Sequence, residues 1–259
     1  MTRGDTSVRP SSLAVSVPSS PCLAIIVDDM GYNLARGQRA LRLSADMTYA
    51  MLPFTDFGRQ LAKEAHAAGR EVILHVPMAS PSNLTTPGEL SASTSRVTFA
   101  RLLASAIADI PYIRGVNNHM GSELTQQDRE MSWLMENIGS RGLYFVDSRT
   151  TDLTVAASAA TRAGVQNASR DVFLDHDRST EKMTAAWDKA HRLAKQKGSA
   201  VLIAHPYPET LDFLELKLSE RPVDAVQIVP ASVLIERRQE AVNQARQRAM
   251  ASARSNVPS

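Results

Sequence analysis

The sequence predicts an α/β fold: a mainly parallel sheet, open or closed into a barrel of about seven or eight strands, with helices packed on it. Three observations carry that prediction. Short apolar runs alternate with helix-period segments along nearly the whole chain, the signature of repeated βα units. A length of 259 residues with 43% hydrophobic content is enough for one such domain and a substantial core. Finally, the apolar runs end again and again in polar residues able to do chemistry. Cys22–Val27 ends in Asp28 and Asp29, Glu71–Leu74 in His75, and Gly115–Val116 in Asn117, Asn118 and His119. Leu143–Val146 ends in Asp147, Val172–Leu174 in Asp175 and His176, and Val201–Ala204 in His205. In parallel strands these side chains collect at the carboxyl edge, where α/β enzymes place their active sites.

The elements follow in order. The Cys22–Val27 strand leads past Gly31 into a helix over Leu34–Leu43, then a strand over Met47–Leu52. Asp56 is the expected cap of a helix running to about Ala68 and stopped by Gly69. After the Glu71–Leu74 strand comes a long polar stretch, Ala79–Thr94, of the kind that walls a groove. Helices over Arg96–Ala108 and Gln126–Ile138 flank a short strand ending near Val116; Met131, Leu134, Met135 and Ile138 recur at helical spacing and face the core. The Leu143–Val146 strand, a helix over Val155–Ala163 closed by Gly164, and the Val172–Leu174 strand follow. A long helix, Glu181–Lys197, is closed by Gly198; then come the Ala200–Ala204 strand, a Glu209–Leu218 helix, a last strand Ala225–Val229 and a final helix from Ser232 to about Met250. Its Arg and Gln residues are expected to face solvent. The domain reading is a disordered leader at 1–20, one β/α domain at 21–231, and a C-terminal helix with a polar tail at 232–259.

Composition excludes several classes. A formal charge of +2, with acids and bases interspersed, does not favour a nucleic-acid binder. No run approaches the ~20 apolar residues of a membrane span. The apolar stretch Leu13–Val17 falls short of the roughly 7–15 residues of a signal-peptide core. Cys22, the one cysteine, cannot form an intramolecular disulfide and reads as a small buried strand residue. A phosphate loop, a dinucleotide glycine fingerprint, a nucleophile elbow, a paired-cysteine zinc module and H-E-x-x-H are all missing. What remains at the strand ends is His and Asp, the ligand types of a catalytic zinc or similar divalent metal. Metal-dependent hydrolysis is therefore the leading class. Neighbouring aspartates on an extended strand point to opposite faces, so Asp28 and Asp29 serve one site only where the backbone turns, which Gly31 allows.

The run Ile26, Val27, Asp28, Asp29, then Met47–Pro53, then Gly69 to His75, resembles the polysaccharide deacetylase superfamily of carbohydrate esterases. The segments Val-Asp-Asp-Met-Gly (27–31), His-Val-Pro-Met (75–78), Asn-Asn-His-Met-Gly-Ser (117–122) and Ala-His-Pro (204–206) look like its divergent branch, over about Leu23–Val229. The resemblance implies a distorted (β/α) barrel and metal-dependent removal of N-acetyl groups from a glycan by a periplasmic or secreted protein. It puts Asp28 on the family's catalytic base, Asp29 on its metal-binding aspartate, and His205 on its general acid. His75 falls on the first histidine of the family's H-[ST]-x-x-H motif, whose second histidine is replaced here by Ala79. His119, at the next strand end, is the expected substitute, completing a triad with Asp29 and His75 for Zn²⁺ or another divalent metal. Asn118, Asp147 and Asp175 are the candidate substrate contacts. His66, His176 and His191 are left outside the site. Two other readings stand beside the hydrolase: a catalytically silent glycan-binding protein on the same barrel, and a metal hydrolase of another amide or ester.

Overall fold

The computed structural model describes residues 20–81, 86–220 and 226–255. The expected leader lies, but for Ser20, outside them, as do positions 82–85 of the polar stretch and Ala225. Among the described residues nine parallel strands form one curled sheet: β1 (Cys22–Met30), β2 (Thr48–Met51), β3 (Glu71–Met78), β4 (Ile113–Met120), β5 (Tyr144–Asp147), β6 (Asn167–Ser169), β7 (Val172–Phe173), β8 (Ser199–Ala204) and β9 (Gln227–Ile228). The spatial order is β6-β5-β4-β3-β2-β1-β8-β7, with β9 on β1. β8 pairs along β1 from Cys22 and β2 joins only at Ile26, so β9, at Cys22 and Leu23, takes the edge of β1 that β2 leaves free. Between these strands run α1 (Leu34–Leu41), α2 (Gly58–Ala67), α3 (Arg96–Asp109), α4 (Asp128–Gly139), α5 (Ala156–Arg162), α6 (Thr180–Lys197) and α7 (Pro208–Ser219), and α8 (Ala231–Ser255) ends the chain's described part. Among the described residues no helix is long and apolar enough to cross a membrane.

The curl follows from the strand order. β6 and β7 are opposite edges of the sheet, yet only Arg170 and Asp171 separate them in sequence. From Ser169 to Val172 an extended chain reaches about 10 Å, so the edges must approach that closely. The Arg170 N–H bonds the Asp147 carbonyl of β5 and the Asp171 N–H bonds the Val201 carbonyl of β8, closing a distorted barrel along a seam. Strand alternation then sorts the core into two shells. Leu23, Ile25 and Val27 point outward to the helices. Cys22, Ala24 and Ile26 point inward with Ala50, Ile73, Val146 and Ile203. Ala231, Leu234 and Ile235 of α8 close the amino end of this interior. There the Glu71 carboxylate accepts from the Thr48 hydroxyl, the Tyr144 hydroxyl and the Ser232 N–H, setting an acid at the start of α8.

The narrow interior makes one position intolerant. A Cβ on Gly115 would lie 2.4 Å from the Tyr144 ring, and that ring cannot withdraw while its hydroxyl holds Glu71 at 2.9 Å. Gly115→Ala is expected to cost about 1–3 kcal/mol by overpacking, read as a lower midpoint in chemical denaturation; an unchanged midpoint would show that the barrel yields here.

Three expectations need correction, and one strand has no counterpart in the sequence reading. The strands bearing the polar residues run further than the apolar runs suggest, to Met30, Met78 and Met120, because the β3–β4 ladder continues through Val76↔Asn118, Pro77↔His119 and Met78↔Met120. β6, with the sequence Asn-Ala-Ser, has no apolar run to announce it; only the edge offered by β5 makes it a strand. Asp56 does not cap α2, which starts at Gly58 after Phe57 without a side-chain cap. The turn at the paired aspartates occurs at Asp29 itself, before Gly31.

Candidate metal centre

Asp28 continues the inward parity of Ala24 and Ile26, so its neighbour Asp29 would by alternation face the helices. A bulge prevents this: Val27 pairs with Tyr49 and Met30 with Met51, leaving one extra residue on β1. Asp29 takes a left-handed backbone, φ 55°, which an aspartate tolerates better than most residues. Both carboxylates thereby serve the same side of the sheet. Met120 (φ 53°) and Arg149 (φ 49°), at the ends of β4 and β5, are held in the same region and line the same cleft. Three of the five described non-glycine residues with positive φ thus line this cleft; the other two are Phe54 and Tyr112.

The side chains meet there. His119 Nδ1 lies 2.8 Å and His75 Nε2 3.2 Å from Asp29 Oδ1, and the two ring nitrogens are 3.3 Å apart. Asp29 Oδ1 is buried and has no hydrogen-bond partner among the described residues. Three possible ligand atoms thus face one another at spacings that a shared cation would bridge. Ligands about 2.0–2.1 Å from a tetrahedral zinc stand about 3.3 Å from each other, close to the spacings seen. The residues fit a divalent metal with N₂O donors, and Asp29, His75 and His119 are the described group of three able to hold one.

Neighbouring hydrogen bonds orient this set. His75 Nδ1 lies 2.7 Å from Asn117 Oδ1, and Asn117 Nδ2 donates to Asp28 Oδ1 at 2.7 Å. Because the amide nitrogen is committed to the carboxylate, the His75 proton sits on Nδ1 and the lone pair on Nε2 faces the cation position. Asn117 and His119, two apart on β4, share the inward face. Ala79, the position of the missing motif histidine, is buried in the outer shell beyond the end of β3. A side chain there would start about 13 Å along the strand from His75, so the donor comes instead from the adjacent strand, where His119 pairs with Pro77.

On the other side His205 follows β8. Asp175 accepts from its backbone N–H at 2.7 Å, from its Nδ1 at 3.0 Å, and from the Thr210 hydroxyl at 2.8 Å. This leaves Nε2 directed at the cleft, 3.9 Å from Asp29 Oδ2. Burial disfavours the His205 cation, but the hydrogen bond and charge of Asp175, then the charges of Asp28 and Asp29, outweigh it and push its pKa up to about 9. Burial raises Asp28 above the usual carboxylate range despite His75 and His205. For Asp29 burial is opposed by His119 and His75, which hold the carboxyl well below that range. For His75 burial is outweighed by Asp28 and Asp29, and the pKa rises. The cluster is negative enough to draw in a proton or a cation.

These groups line a cleft of about 430 Å³ at the carboxyl edge of the sheet. Of the candidate substrate contacts, Asn118 lines it, but its amide ties the rims together, donating to the Met120 carbonyl and accepting from the Ser148 N–H. Asp147 does not reach the cleft: it points to the helix side of β5 and accepts from the Arg149 N–H and the Thr154 hydroxyl. Asp175 lies behind His205. Sequence reasoning missed Arg170, Phe173 and Arg149, and it left out His176, all of which line the cleft. Asn117 was legible from strand parity with His119; Arg170 lies in the unpatterned seam and had no local signal.

The sequence matches the profile of a family described as divergent polysaccharide deacetylase over residues 25–235. It is 34% identical over 215 residues to YibQ, an uncharacterized protein of Escherichia coli, covering 83% of this chain and 67% of that one. An uncharacterized protein of Agrobacterium tumefaciens has a similar crystal structure, with a TM-score of 0.79 at 23% identity over 83% of this chain and 89% of that one. A peptidoglycan deacetylase from Bacillus subtilis aligns with a TM-score of 0.52 at 16% identity over 89% and 98% of the two chains. At these identities both structures show a shared fold.

Proposed function

We propose that this chain, which belongs to the divergent polysaccharide deacetylase family, is a metal-dependent hydrolase that removes N-acetyl groups from an envelope glycan in the periplasm or outside the cell. The observation that carries the reading is the convergence of Asp29, His75 and His119 around an unpartnered buried oxygen, with a second carboxylate and a second imidazole alongside. The N₂O donor set suits zinc. Asp29, His75 and His119 would hold a divalent ion, which would supply an activated water and polarise the amide carbonyl. Asp28, its pKa raised, is the acceptor for the water's proton. Asn117 keeps Asp28 and His75 in register and so couples base to ligand. His205 holds a proton on Nε2 for the departing amine, and Asp175 keeps that proton in place. The base and the acid are separate groups carried by the neighbouring strands β1 and β8, so one can take a proton while the other gives one. The absent histidine at 79 does not leave the donor set short, because His119 supplies the third ligand.

Acetate release from tetra-N-acetylchitotetraose and from peptidoglycan fragments, by zinc-loaded and by chelated protein, tests the reading. Release that needs the metal supports it. Glycan binding with no release by the loaded protein would replace it with the silent glycan-binding reading.

The role of His205 carries its own expectation. Asp175→Asn removes the charge that favours its proton, so the alkaline limb of kcat/KM should move to lower pH, with a fall in kcat of roughly 10–100-fold at pH 8. A pH profile that keeps its alkaline limb in place would detach His205 from proton delivery.

A further inference from the structure

We propose that the cleft is shaped for a glycan that carries a carboxylate near its acetamido group, with Arg170 and Arg149 recognising the charge. The inference rests on the deacetylase reading, whose cleft it shares. Arg170 lies half-buried at the seam between β6 and β7, lining the cleft beside Phe173. Its Nε donates to the Ser148 carbonyl and its Nη2 to the Arg149 carbonyl, both at 2.6 Å, and its guanidinium stands 5.2 Å over the Phe173 ring. Nη1 is left over, and among the described residues Arg170 makes no ion pair.

The carboxylates nearby are committed elsewhere. Asp29 faces the two imidazoles, Asp28 accepts from Asn117, and Asp147 is engaged by the Arg149 N–H and Thr154. Among the described residues the Arg149 side chain pairs with Asp152 at 3.2 Å, whose own side chain is 96% exposed. Such a pair is worth little and yields readily to a better acceptor. Beside the negative Asp28–Asp29 cluster, the seam side of the cleft therefore presents cationic groups to an incoming sugar, and the one at Arg170 is held rigidly. A guanidinium fixed in this way recognises a carboxylate without paying much ordering entropy. A neutral sugar would cover Arg170 and leave it unpaired, so the cation discriminates against neutral chains as well as for charged ones. The carboxylate can belong to a uronic acid or to a lactyl ether on the sugar ring.

The test measures equilibrium binding and acetate release with zinc-loaded protein and three tetrasaccharides. These are tetra-N-acetylchitotetraose, which is neutral; a hyaluronan fragment, with a uronic acid carboxylate; and a fragment containing N-acetylmuramic acid, with a lactyl carboxylate. At least one carboxylated chain is expected to bind at least tenfold tighter than the neutral one, with an advantage that shrinks as salt rises. Whichever chain binds identifies the carboxylate's source. The advantage should fall about tenfold in Arg170→Gln and in Arg149→Gln; the second alters an exposed head group and keeps the test open if the first fails to fold. Preferential binding without acetate release would overturn the hydrolase reading and leave the charge preference standing. Equal or tighter binding of the neutral chain, or a preference that survives both substitutions, would overturn the inference.

Discussion

Asp29→Ala is expected to remove stoichiometric metal from the protein. Asp29 contributes the one carboxylate of the donor set, and without it only the two imidazoles face the cation position. Loss of a group that merely orients a ligand already costs roughly 10–100-fold in metal affinity or activity, so loss of the charged ligand should cost more than that. Asp28 is a poor replacement: its Oδ2 is 3.8 Å from His75 Nε2 and its Oδ1 is held by Asn117. Zinc titration of chelated protein, with metal content measured after dialysis, reads the effect directly. In the unsubstituted protein zinc affinity should weaken as pH falls. Burial disfavours a charged His75, yet Asp28 and Asp29 raise its pKa, so a proton competes with the metal for Nε2 and is released when the metal binds. An Asp29→Ala protein that still holds one tight zinc would remove the basis of the proposed mechanism.

Asp28→Asn should separate chemistry from metal binding. The side chain keeps its shape, and its amide oxygen can still accept from Asn117 Nδ2, so the support of His75 persists. The proton acceptor is gone. A positioned general base contributes about 10²–10⁴-fold, and kcat should fall by that order while zinc content and thermal midpoint stay near those of the parent. The acid limb of the pH profile, which reports ionisation of this carboxyl, should disappear with it. A variant of nearly full activity would move the base elsewhere in the cleft; a variant that loses zinc would make Asp28 a ligand.

Much of the fold was legible because its strands are apolar runs and its helices carry their own stops. Gly69, Gly164 and Gly198, read as helix ends, all take positive φ. The boundaries were harder. β1, β3 and β4 continue through Asp28, His75 and His119, since buried polar side chains that bond one another let the ladder go on where hydropathy alone suggests it stops. β6 was invisible for the opposite reason: Asn167–Ser169 lacks strand-like residues and is ordered by the edge of β5.

The site divides along the same line. The residue types at the strand ends and their order along the chain determined by themselves which groups lie at the carboxyl edge, because a parallel βα sequence leaves them no other place. Tertiary structure alone decided which of them face one another. The bulge opposite β2 turns Asp29 to the side of Asp28, and the β3–β4 register brings His119 beside His75. Closure of the seam sets Arg170 into the cleft and leaves Asp147 behind it. Each of these outcomes depends on pairing between segments tens of residues apart, and side-chain direction on a strand reverses with a register shift of one residue.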